Sequence, residues 1–441
     1  MMARLIVFLV LLSFAGVTWG DDERIPSMQI VEDWLEADYG ILGSDTLASI
    51  DLLEADVRQT ESLFGPDSAN HGRALAKLGV TRFLGGDRKA AVADLERAVR
   101  ILSGAEGLYD RQLIAPYFFL GLALQSVGDP EAGADALSRA QQVAQRADGS
   151  HSEDQIPILY AKAHGEQQRG NLLVAENLHR TAYKLHREAY GDLSPEAIGA
   201  ADRLGRWLRS IGDYTGALSL YRSAMIELQG KRGPDVPAVL PLLLGKSNAY
   251  LGGPFSRRSF KMHQRVIKLM KKHPDVFSRN RLIAALVEYG DLLMRFSYER
   301  AATRRYVEAW EVADAGGSAY ADWKAYLAEP RIVRFNSLIP ASRSEEEADY
   351  FRLVFDISFD GRPKEIELAD SDAPGELQFY VPNIFRNQVR FRPRIIDGEA
   401  VRTDDHSITM QFGTVPTNAP YVNSIFDLPE QVGGFSFRTP L

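Results

Sequence analysis

The middle of the chain carries apolar residues at helical spacing. Between Gly72 and Gly107, large apolar side chains recur at Leu75, Leu78, Phe83, Leu95, Val99 and Leu102. This spacing places them on stripes along one side of a helix, and the small residues Gly79, Ala91 and Ala98 leave room for a neighbouring helix. The pattern therefore predicts amphipathic helices that pack closely against one another.

A period of 42 residues organises these helices. Two series of glycines keep this spacing, namely Gly86, Gly128, Gly170 and Gly212, and Gly65, Gly107, Gly149, Gly191 and Gly233. Because glycine adopts the left-handed conformation that ends many helices, each period predicts two helices, one ending at each glycine. Two amphipathic helices cannot bury their apolar stripes alone, so stacked hairpins, an α-solenoid, are expected.

One unit resembles the tetratricopeptide repeat, which combines a large apolar residue, Leu-Gly, a Gly-Asp loop and two alanines around an aromatic residue or leucine. The matching residues are Leu75, Leu78-Gly79, Gly86-Asp87, Ala91, Leu95 and Ala98, and in a later unit Leu204-Gly205, Gly212-Asp213, Ala217, Tyr221 and Ala224. The longer period, with Gly-Pro-Asp in the linkers at 65–67 and 233–235, is similar to the kinesin-light-chain type of repeat.

This resemblance extends from about Ala48 to Asp314, with four clear units, two degenerate ones and a cap from Ile30 to Phe64. The degenerate units keep only part of the pattern, such as Gly245 and Gly290. The resemblance implies an array of helical hairpins that binds proteins or peptides.

Near residue 350 the periodicity changes from helical to alternating. The sequence places Phe351, Leu353, Phe355, Ile357 and Phe359 on one face, which only a strand satisfies. Turns at Asp360-Gly361 and Asp397-Gly398, with a helical or irregular stretch around 375–388, predict the order strand, strand, helix, strand, strand. The last strand has Ile408, Met410 and Phe412 on one face.

This block, from about Tyr350 to Phe412, resembles the C-terminal domain of the TonB energy-transducer family. The matching motifs are Asp360-Gly361, Phe391-Arg392-Pro393 and Gly398-Glu399-Ala400-Val401. Because Pro382 falls inside the family's helix, we expect that helix to begin near Asn383 instead. The family's long membrane anchor and proline-rich spacer are missing. The resemblance implies contact with periplasmic segments of outer-membrane proteins.

The predicted fold class is mainly α: an α-solenoid of tetratricopeptide-type helical hairpins followed by a small α+β domain similar to the TonB C-terminal domain. The predicted organisation is a signal peptide at 1–20, an N-terminal extension or cap at 21–47, the solenoid at 48–314, a linker at 315–349, the α+β domain at 350–413 and a C-terminal tail at 414–441.

The first twenty residues have the pattern of a secretory signal. Arg4 precedes an apolar run from Leu5 to Val17, and the small residue Gly20 precedes two aspartates. We expect cleavage near Gly20 and a periplasmic location. The alternative is an uncleaved membrane anchor, although the run is shorter than the ~20 apolar residues of a spanning helix.

Composition and a motif search narrow the function. A net charge of −8 argues against nucleic acid as a partner, and the absence of cysteine excludes thiolate metal sites and thiol nucleophiles. Gly245-Lys246-Ser247 lacks the remaining glycine of a phosphate loop, and His179 and His186 are two helical turns apart, too far for one metal ion. We therefore predict no enzymatic activity, no catalytic residues, no metal site and no cofactor.

Two candidate binding surfaces remain. The first helix of each repeat predicts a groove, whose candidate residues are Tyr160, His164, Gln167, Arg206, Arg209, Lys246 and Tyr250. Polar and basic side chains there suit an acidic or C-terminal peptide segment, and the alternative is that they are ordinary exposed helix residues.

The second candidate surface is the last strand, as a sheet edge that accepts an extended peptide, with candidate residues His406, Ile408, Met410 and Phe412. The alternative is an edge covered by the tail, which contains Phe426, Phe435 and Phe437. The expected partners are proteins or peptides, with outer-membrane and periplasmic proteins as candidates. Membrane contact is expected only if the N-terminal segment stays uncleaved.

Overall fold

The computed structural model describes Val31, Trp34 and residues 50–253, 256–335, 350–372 and 375–411. The predicted signal peptide, most of the predicted N-terminal extension and the predicted tail lie outside the described residues. The chain divides into two compact units, with the boundary between Leu228 and Gln229. It is mainly helical, with a series of helical hairpins and a small strand-containing C-terminal region.

The helices up to residue 232 form one antiparallel series. Their bounds are α1 Ile50–Phe64, α2 Ala69–Leu84, α3 Arg88–Ala105, α4 Ile114–Val127, α5 Pro130–Asp148, α6 Gln155–Gln168, α7 Leu172–Tyr190, α8 Pro195–Ser210 and α9 Tyr214–Arg232. After α1, successive helices form four hairpins, each with a first helix (α2, α4, α6, α8) and a second helix (α3, α5, α7, α9). These are the four clear units of the sequence pattern.

The two glycine series end these helices, as predicted. All nine glycines have a positive φ, and each stands one or two residues beyond the end of a helix. The aspartate after the first glycine then caps the next helix, because Asp87 accepts a hydrogen bond from the Ala90 N–H and Asp129 accepts one from the Ala132 N–H. Asn171, which replaces this aspartate, makes no such side-chain bond.

A recurring glycine within the first helices lets each hairpin close. A Cβ added at Gly79 would come within 2.7 Å of Leu95 Cγ, and one at Gly121 within 2.6 Å of Leu137 Cγ. In α8 the ring of Tyr221 occupies the same space at Gly205. A large side chain from the second helix therefore packs directly on the backbone of the first helix.

The second unit begins with two further hairpins, followed by a short helix. The bounds are α10 Leu240–Gly252, α11 Ser259–Lys272, α12 Arg279–Arg295, α13 Glu299–Asp314 and α14 Ala321–Leu327. Here α10 and α12 are first helices, and α11 and α13 are second helices. None of the helices in the described ranges has both the length and the apolar character needed to span a membrane.

The remaining elements build a small α+β region. They are β1 Arg331–Phe335, β2 Tyr350–Ile357, β3 Pro363–Ser371, α15 Gly375–Gln388, β4 Val389–Arg392, β5 Arg394–Ile396, β6 Glu399–Val401 and β7 Thr403–Gln411. Strands β3, β2 and β7 form an antiparallel sheet in that order, and β1 pairs with β4 and β5 with β6. The sequence assigned 315–349 to a linker, whose described part contains α14 and β1.

The prediction that the C-terminal helix begins near Asn383 is wrong. Helix α15 begins at Gly375 and contains Pro382. A proline inside a helix removes one backbone hydrogen bond, but Val381 and Phe385 are fully buried against the sheet, and the rings of Phe385 and Phe355 lie 4.9 Å apart. This burial offsets the lost hydrogen bond, which the local sequence rule did not weigh.

The α+β region packs on the last helical hairpin through buried ion pairs. Arg392 of β4 binds Asp291 of α12 at 2.6 Å, and Asp291 also accepts a hydrogen bond from the hydroxyl of Tyr306 at 2.8 Å. Arg390, two residues earlier in β4, lies 3.2 Å from Glu299, the first residue of α13. The sheet is therefore fixed to the repeats of its own unit.

Candidate functional site

The first helices α6 and α8 bring together most of the predicted groove residues of the first unit. The guanidinium of Arg203 lies over the ring of Tyr160, 4.2 Å from its centre, and the indole N–H of Trp207 donates to Gln167 Oε1 at 2.7 Å. Burial raises the pKa of the half-buried Tyr160, so its hydroxyl stays protonated. Tyr160 therefore packs between repeats, while Gln167 is exposed.

His164 completes the α6 part of the surface. Its Nε2 atom is 2.9 Å from the side-chain amide nitrogen of Gln168, and burial lowers its pKa. At neutral pH this imidazole is uncharged, and its ring nitrogen accepts from the amide. The predicted groove residues of α6 are thus uncharged hydrogen-bonding groups, and the charged ones, Arg206 and Arg209, lie on α8.

The arginines of α8 supply that charge. Arg206 binds Asp202 at 2.7 Å, and Asp202 in turn accepts a hydrogen bond from the Tyr221 hydroxyl at 3.0 Å. The Nε atom of Arg209 is buried and has no hydrogen-bond partner among the described residues.

Sequence reasoning missed Arg203 and Trp207 in this cluster. Arg203, Arg206 and Arg209 are three residues apart and share one side of α8, so spacing alone was a usable signal for Arg203. Trp207 had no such signal, because its contact with Gln167 spans 40 residues of chain.

Behind this surface, two histidines are buried in the packing between repeats. The rings of His179 and Trp207 have centres 4.8 Å apart, and the Nδ1–H of His186 donates to the Ala182 carbonyl at 2.8 Å. Burial, followed by the charge of Arg203, lowers the pKa of His179 to about 3, and burial lowers that of His186 to about 4. Both imidazoles are neutral at pH 7.

The remaining two predicted groove residues belong to the second unit, and one of them, Tyr250, differs from the prediction. Tyr250 of α10 is buried, with 8% of its surface exposed, and so lines no open face. Lys246 is half-buried on the same helix. The helical spacing that selected Tyr250 did not distinguish an inner face from the apolar packing of a degenerate repeat.

Trp34 covers part of the surface of the first helix α4. Trp34 is 3% exposed, packs edge-on against Phe118 of α4 and donates its indole N–H to Asp154 at 2.9 Å. Arg111 pairs with the same carboxylate at 2.8 Å. The sequence suggested an extension or cap here, but no local pattern linked Trp34 to an aspartate 120 residues away.

The last strand lies at an end of its sheet. Among the described residues, β7 pairs with β2 alone, in a register that places His406 opposite Phe355 and Ile408 opposite Leu353. His406 packs on the ring of Phe355 at 5.4 Å, and Ile408 contacts the same core. These two side chains face inward, so the feature of β7 that has no partner among the described residues is its outer backbone edge. The side chain of Met410 is not described, and Phe412 lies outside the described residues.

Chemistry at a metal was also tested. Within the described ranges, histidine, aspartate and glutamate form no group of three placed to hold a metal ion.

Comparison with known proteins identifies the repeats. A profile of the tetratricopeptide repeat family matches residues 154–225, which contain α6 to α8 and most of α9. Members of this family are generally non-enzymatic scaffolds for protein–protein interaction. The comparison indicates no catalytic family. No curated protein matches the chain.

Several solved structures are similar to the helical part. A kinesin light chain from Podosopora anserina with nearly identical tetratricopeptide-like repeats is 16% identical, with 45% of this chain and 95% of that chain covered and a TM-score of 0.38. BtubC (BKLC) from P. vanneervenii is 15% identical, with 53% and 94% covered and a TM-score of 0.39. A tetratricopeptide repeat protein from Parabacteroides merdae is 14% identical, with 67% and 97% covered and a TM-score of 0.35.

Proposed function

We propose that this chain is a non-enzymatic scaffold of the periplasm that holds one protein partner on its repeats and contacts a second at its C-terminal sheet. The repeat surface takes an acidic or C-terminal peptide segment, and the sheet takes an extended strand of an envelope protein. The single observation that carries the proposal is the surface of α6 and α8, where Gln167, Arg206 and Arg209 lie on adjacent first helices.

The chemistry of this surface supports a peptide ligand. Gln167 offers an exposed amide and Arg209 offers a half-buried guanidinium, while Arg206 is held in place by Asp202. Guanidinium groups bind carboxylates through paired hydrogen bonds, which favours peptides that carry acidic side chains or a free C-terminus. The packing of Trp207 on the preceding repeat holds α8 rigidly and lowers the cost of ordering this surface on binding.

The outer edge of β7, which pairs with no further strand in the described part of the chain, supports the second contact. An unpaired strand edge offers backbone donors and acceptors that a new strand satisfies, and this mode does not require outward side chains. His406 and Ile408 have their side chains in the core, which leaves sequence selection to the residues that flank the added strand. The resemblance to the TonB C-terminal domain suggests outer-membrane proteins as the source of that strand.

The groove is tested by charge reversal. Partner capture from a periplasmic extract should be lost in Arg206→Glu/Arg209→Glu and retained in the exposed control Arg180→Glu/Lys184→Glu on α7. Because reversal also sets two carboxylates beside Asp202, the milder pair Arg206→Gln/Arg209→Gln is compared, with an unchanged circular dichroism spectrum as the folding check. Capture that is the same in all these variants would remove the groove from the proposal.

The edge and the location need separate measurements. Deleting 414–441 should expose new strand-binding capacity if the tail covers β7, and leave it unchanged if the edge is already open; loss of folding without new binding would contradict strand addition. N-terminal sequencing of the mature chain tests cleavage near Gly20. A retained N-terminus would favour the alternative, a membrane-tethered transducer for outer-membrane transport.

A further inference from the structure

The second unit carries a basic surface that neither of these contacts uses. Residues 236–274 contain eight lysines and arginines and no aspartate or glutamate, in a chain whose net charge is −8. Four of the eight, Lys261, Arg265, Lys268 and Lys272, follow one another at intervals of four, three and four residues and are exposed along one side of α11. Such a concentration of one sign of charge attracts an anionic partner.

A cleft lies beside this stripe, bounded by α11, α12 and α13. Two adjoining cavities of about 270 and 360 Å³ share Gln264, Tyr289 and Arg305 as lining residues. Their apolar surface comes from Ile267, Leu293, Ala301 and the ring of Tyr289. Gln264 donates to the Tyr289 hydroxyl at 3.0 Å, which keeps the ring in place. The space suits one large apolar side chain.

The charges at the rim are only partly balanced. Glu308 is the carboxylate that lines the cleft, and it binds both Lys271 and, at 2.5 Å, Arg305. Lys268 and Arg304 also line the cleft, and no carboxylate among the described residues lies within ion-pair distance of either. Asp235 forms an ion pair with Lys272, the last residue of the stripe, at 2.8 Å.

We propose that this cleft binds an acidic linear segment of a protein partner, with one apolar side chain against Tyr289 and Leu293 and flanking carboxylates on Lys268 and Arg304. The recessed apolar floor favours a peptide over a flat anionic bilayer, which would meet only the lysines and arginines of the rim. The site goes beyond the proposed function, because it uses neither the α6 and α8 surface nor the edge of β7.

The test uses the full chain and a labelled peptide of three glutamates, one phenylalanine and three glutamates, with binding measured by fluorescence anisotropy. We expect saturable binding that Lys268→Glu/Arg304→Glu weakens by about tenfold or more, because attraction becomes repulsion at both rim positions. The matched control is Lys89→Glu/Arg100→Glu, which makes the same change in charge at exposed positions of α3. The control should keep the affinity within about twofold.

Further arms decide between occupants. Replacing the phenylalanine of the peptide by alanine should weaken binding, and an equal affinity would overturn the role of the apolar floor. Binding to vesicles with anionic phospholipid but not to the peptide would assign the surface to a membrane and overturn the proposal. An equal loss of peptide affinity in the α3 control would show that the binding is nonspecific electrostatic attraction, which overturns the proposal. Tighter peptide binding after Glu345→Gln/Glu346→Gln/Glu347→Gln would mean that the chain's own acidic segment occupies the cleft, which also overturns it.

The groove variant separates the two proposals. Arg206→Glu/Arg209→Glu removes only the binding that the α6 and α8 surface contributes, so the part of the affinity that depends on Lys268, Arg304 and the phenylalanine of the peptide should remain. The milder pair Lys268→Gln/Arg304→Gln should show an intermediate affinity, and its failure to do so with an unchanged circular dichroism spectrum would overturn the assignment of these two residues.

Discussion

The first four hairpins and the last two differ in how strictly they keep the repeat pattern. In the first four, a glycine with positive φ closes every helix, and a small residue in the first helix faces a large one in the second. In the second unit α10, α11 and α12 end without such a glycine, although Gly290 still faces the ring of Tyr306. Asp291 and Glu299 bind the arginines of β4, and α11 carries the basic stripe.

The difference shows where a repeat array gains specific features. A regular repeat is constrained by its neighbours on both sides, so most of its buried positions are committed to packing. A repeat near the end of an array is released from part of that constraint. Here two carboxylates of the last hairpin, Asp291 and Glu299, hold the α+β region by charge. These ion pairs are buried, where such pairs require accurate geometry. Three substitutions and one titration should affect the two regions differently.

Removing the carboxylate of Asp291 should affect the second unit most. Asp291→Ala leaves Arg392 buried without its partner, which costs about 3–5 kcal/mol. Hydrogen exchange should accelerate in β1, β4 and α12 while the helices of the first unit keep their protection. The control Asp314→Ala breaks the exposed pair with Lys324, which should cost less than about 1 kcal/mol. Equal effects of the two substitutions would contradict this account of the docking.

The turn between β2 and β3 should be nearly as sensitive. Gly361 has φ of 81°, and an added Cβ would overlap the carbonyl oxygen of Phe391, whose N–H donates to the Gly361 carbonyl at 2.9 Å. Gly361→Ala should cost about 3 kcal/mol from backbone strain and overlap together. Gly375→Ala is the control, because nothing lies within 4 Å of its added Cβ. Thermal unfolding of the two variants would show the contrast.

Acid should weaken the first unit through its histidines. The pKa of His179 is lowered from 6.5 to about 3 and that of His186 to about 4, so between pH 6.5 and 4 only the unfolded chain binds these protons. As the pH decreases through this range, the free energy of unfolding should therefore fall by about 1.4 kcal/mol per pH unit for each histidine.

Leucine at position 179 provides the control for this titration. Leu95 and Leu137 occupy the equivalent position in two other repeats, so His179→Leu matches the local packing. The substitution removes one of the two titrating histidines. The free energy of opening measured by hydrogen exchange in α6 and α7 should therefore depend less on pH, by the contribution of one proton, about 1.4 kcal/mol per pH unit. An unchanged slope would show that His179 is not held neutral.

Glycine packing within a hairpin gives the smallest expected effect. Gly205→Ala would press a methyl group into the ring of Tyr221 and should cost about 1–2 kcal/mol. Gly199→Ala in the same helix meets nothing within 4 Å and should stabilise α8 by up to about 1 kcal/mol. Opposite shifts in unfolding temperature are expected, and shifts of the same sign would count against the packing of Tyr221 on α8.

Most of the fold could be predicted from the periodicity of the sequence. The 42-residue spacing predicted the helix ends, and alternation from Phe351 predicted the strands β2 and β3 with their turn at Asp360-Gly361. Both follow from backbone geometry and burial over a few residues, which a sequence displays directly. Pro382 misled because a local rule was outweighed by the burial of Val381 and Phe385.

The candidate sites were less predictable, because they depend on residues far apart in the chain. Trp34 and Asp154 are separated by 120 residues, and Asp291 and Arg392 by 101. Nothing in the sequence near either partner indicates the other. One signal was available: arginines alternate with apolar residues in the buried strand β4, and buried arginines require carboxylate partners.

The ion pairs of β4 also determine how the second unit would bear a mechanical load. Tension applied to β7 by an attached strand passes to β2 through backbone hydrogen bonds and, at the β2–β3 turn, to β4 through the bond between Phe391 and Gly361. From there Arg392 and Arg390 transmit it to α12 and α13. A pull on the sheet would thus be shared with a helical hairpin, instead of extending a slack connection.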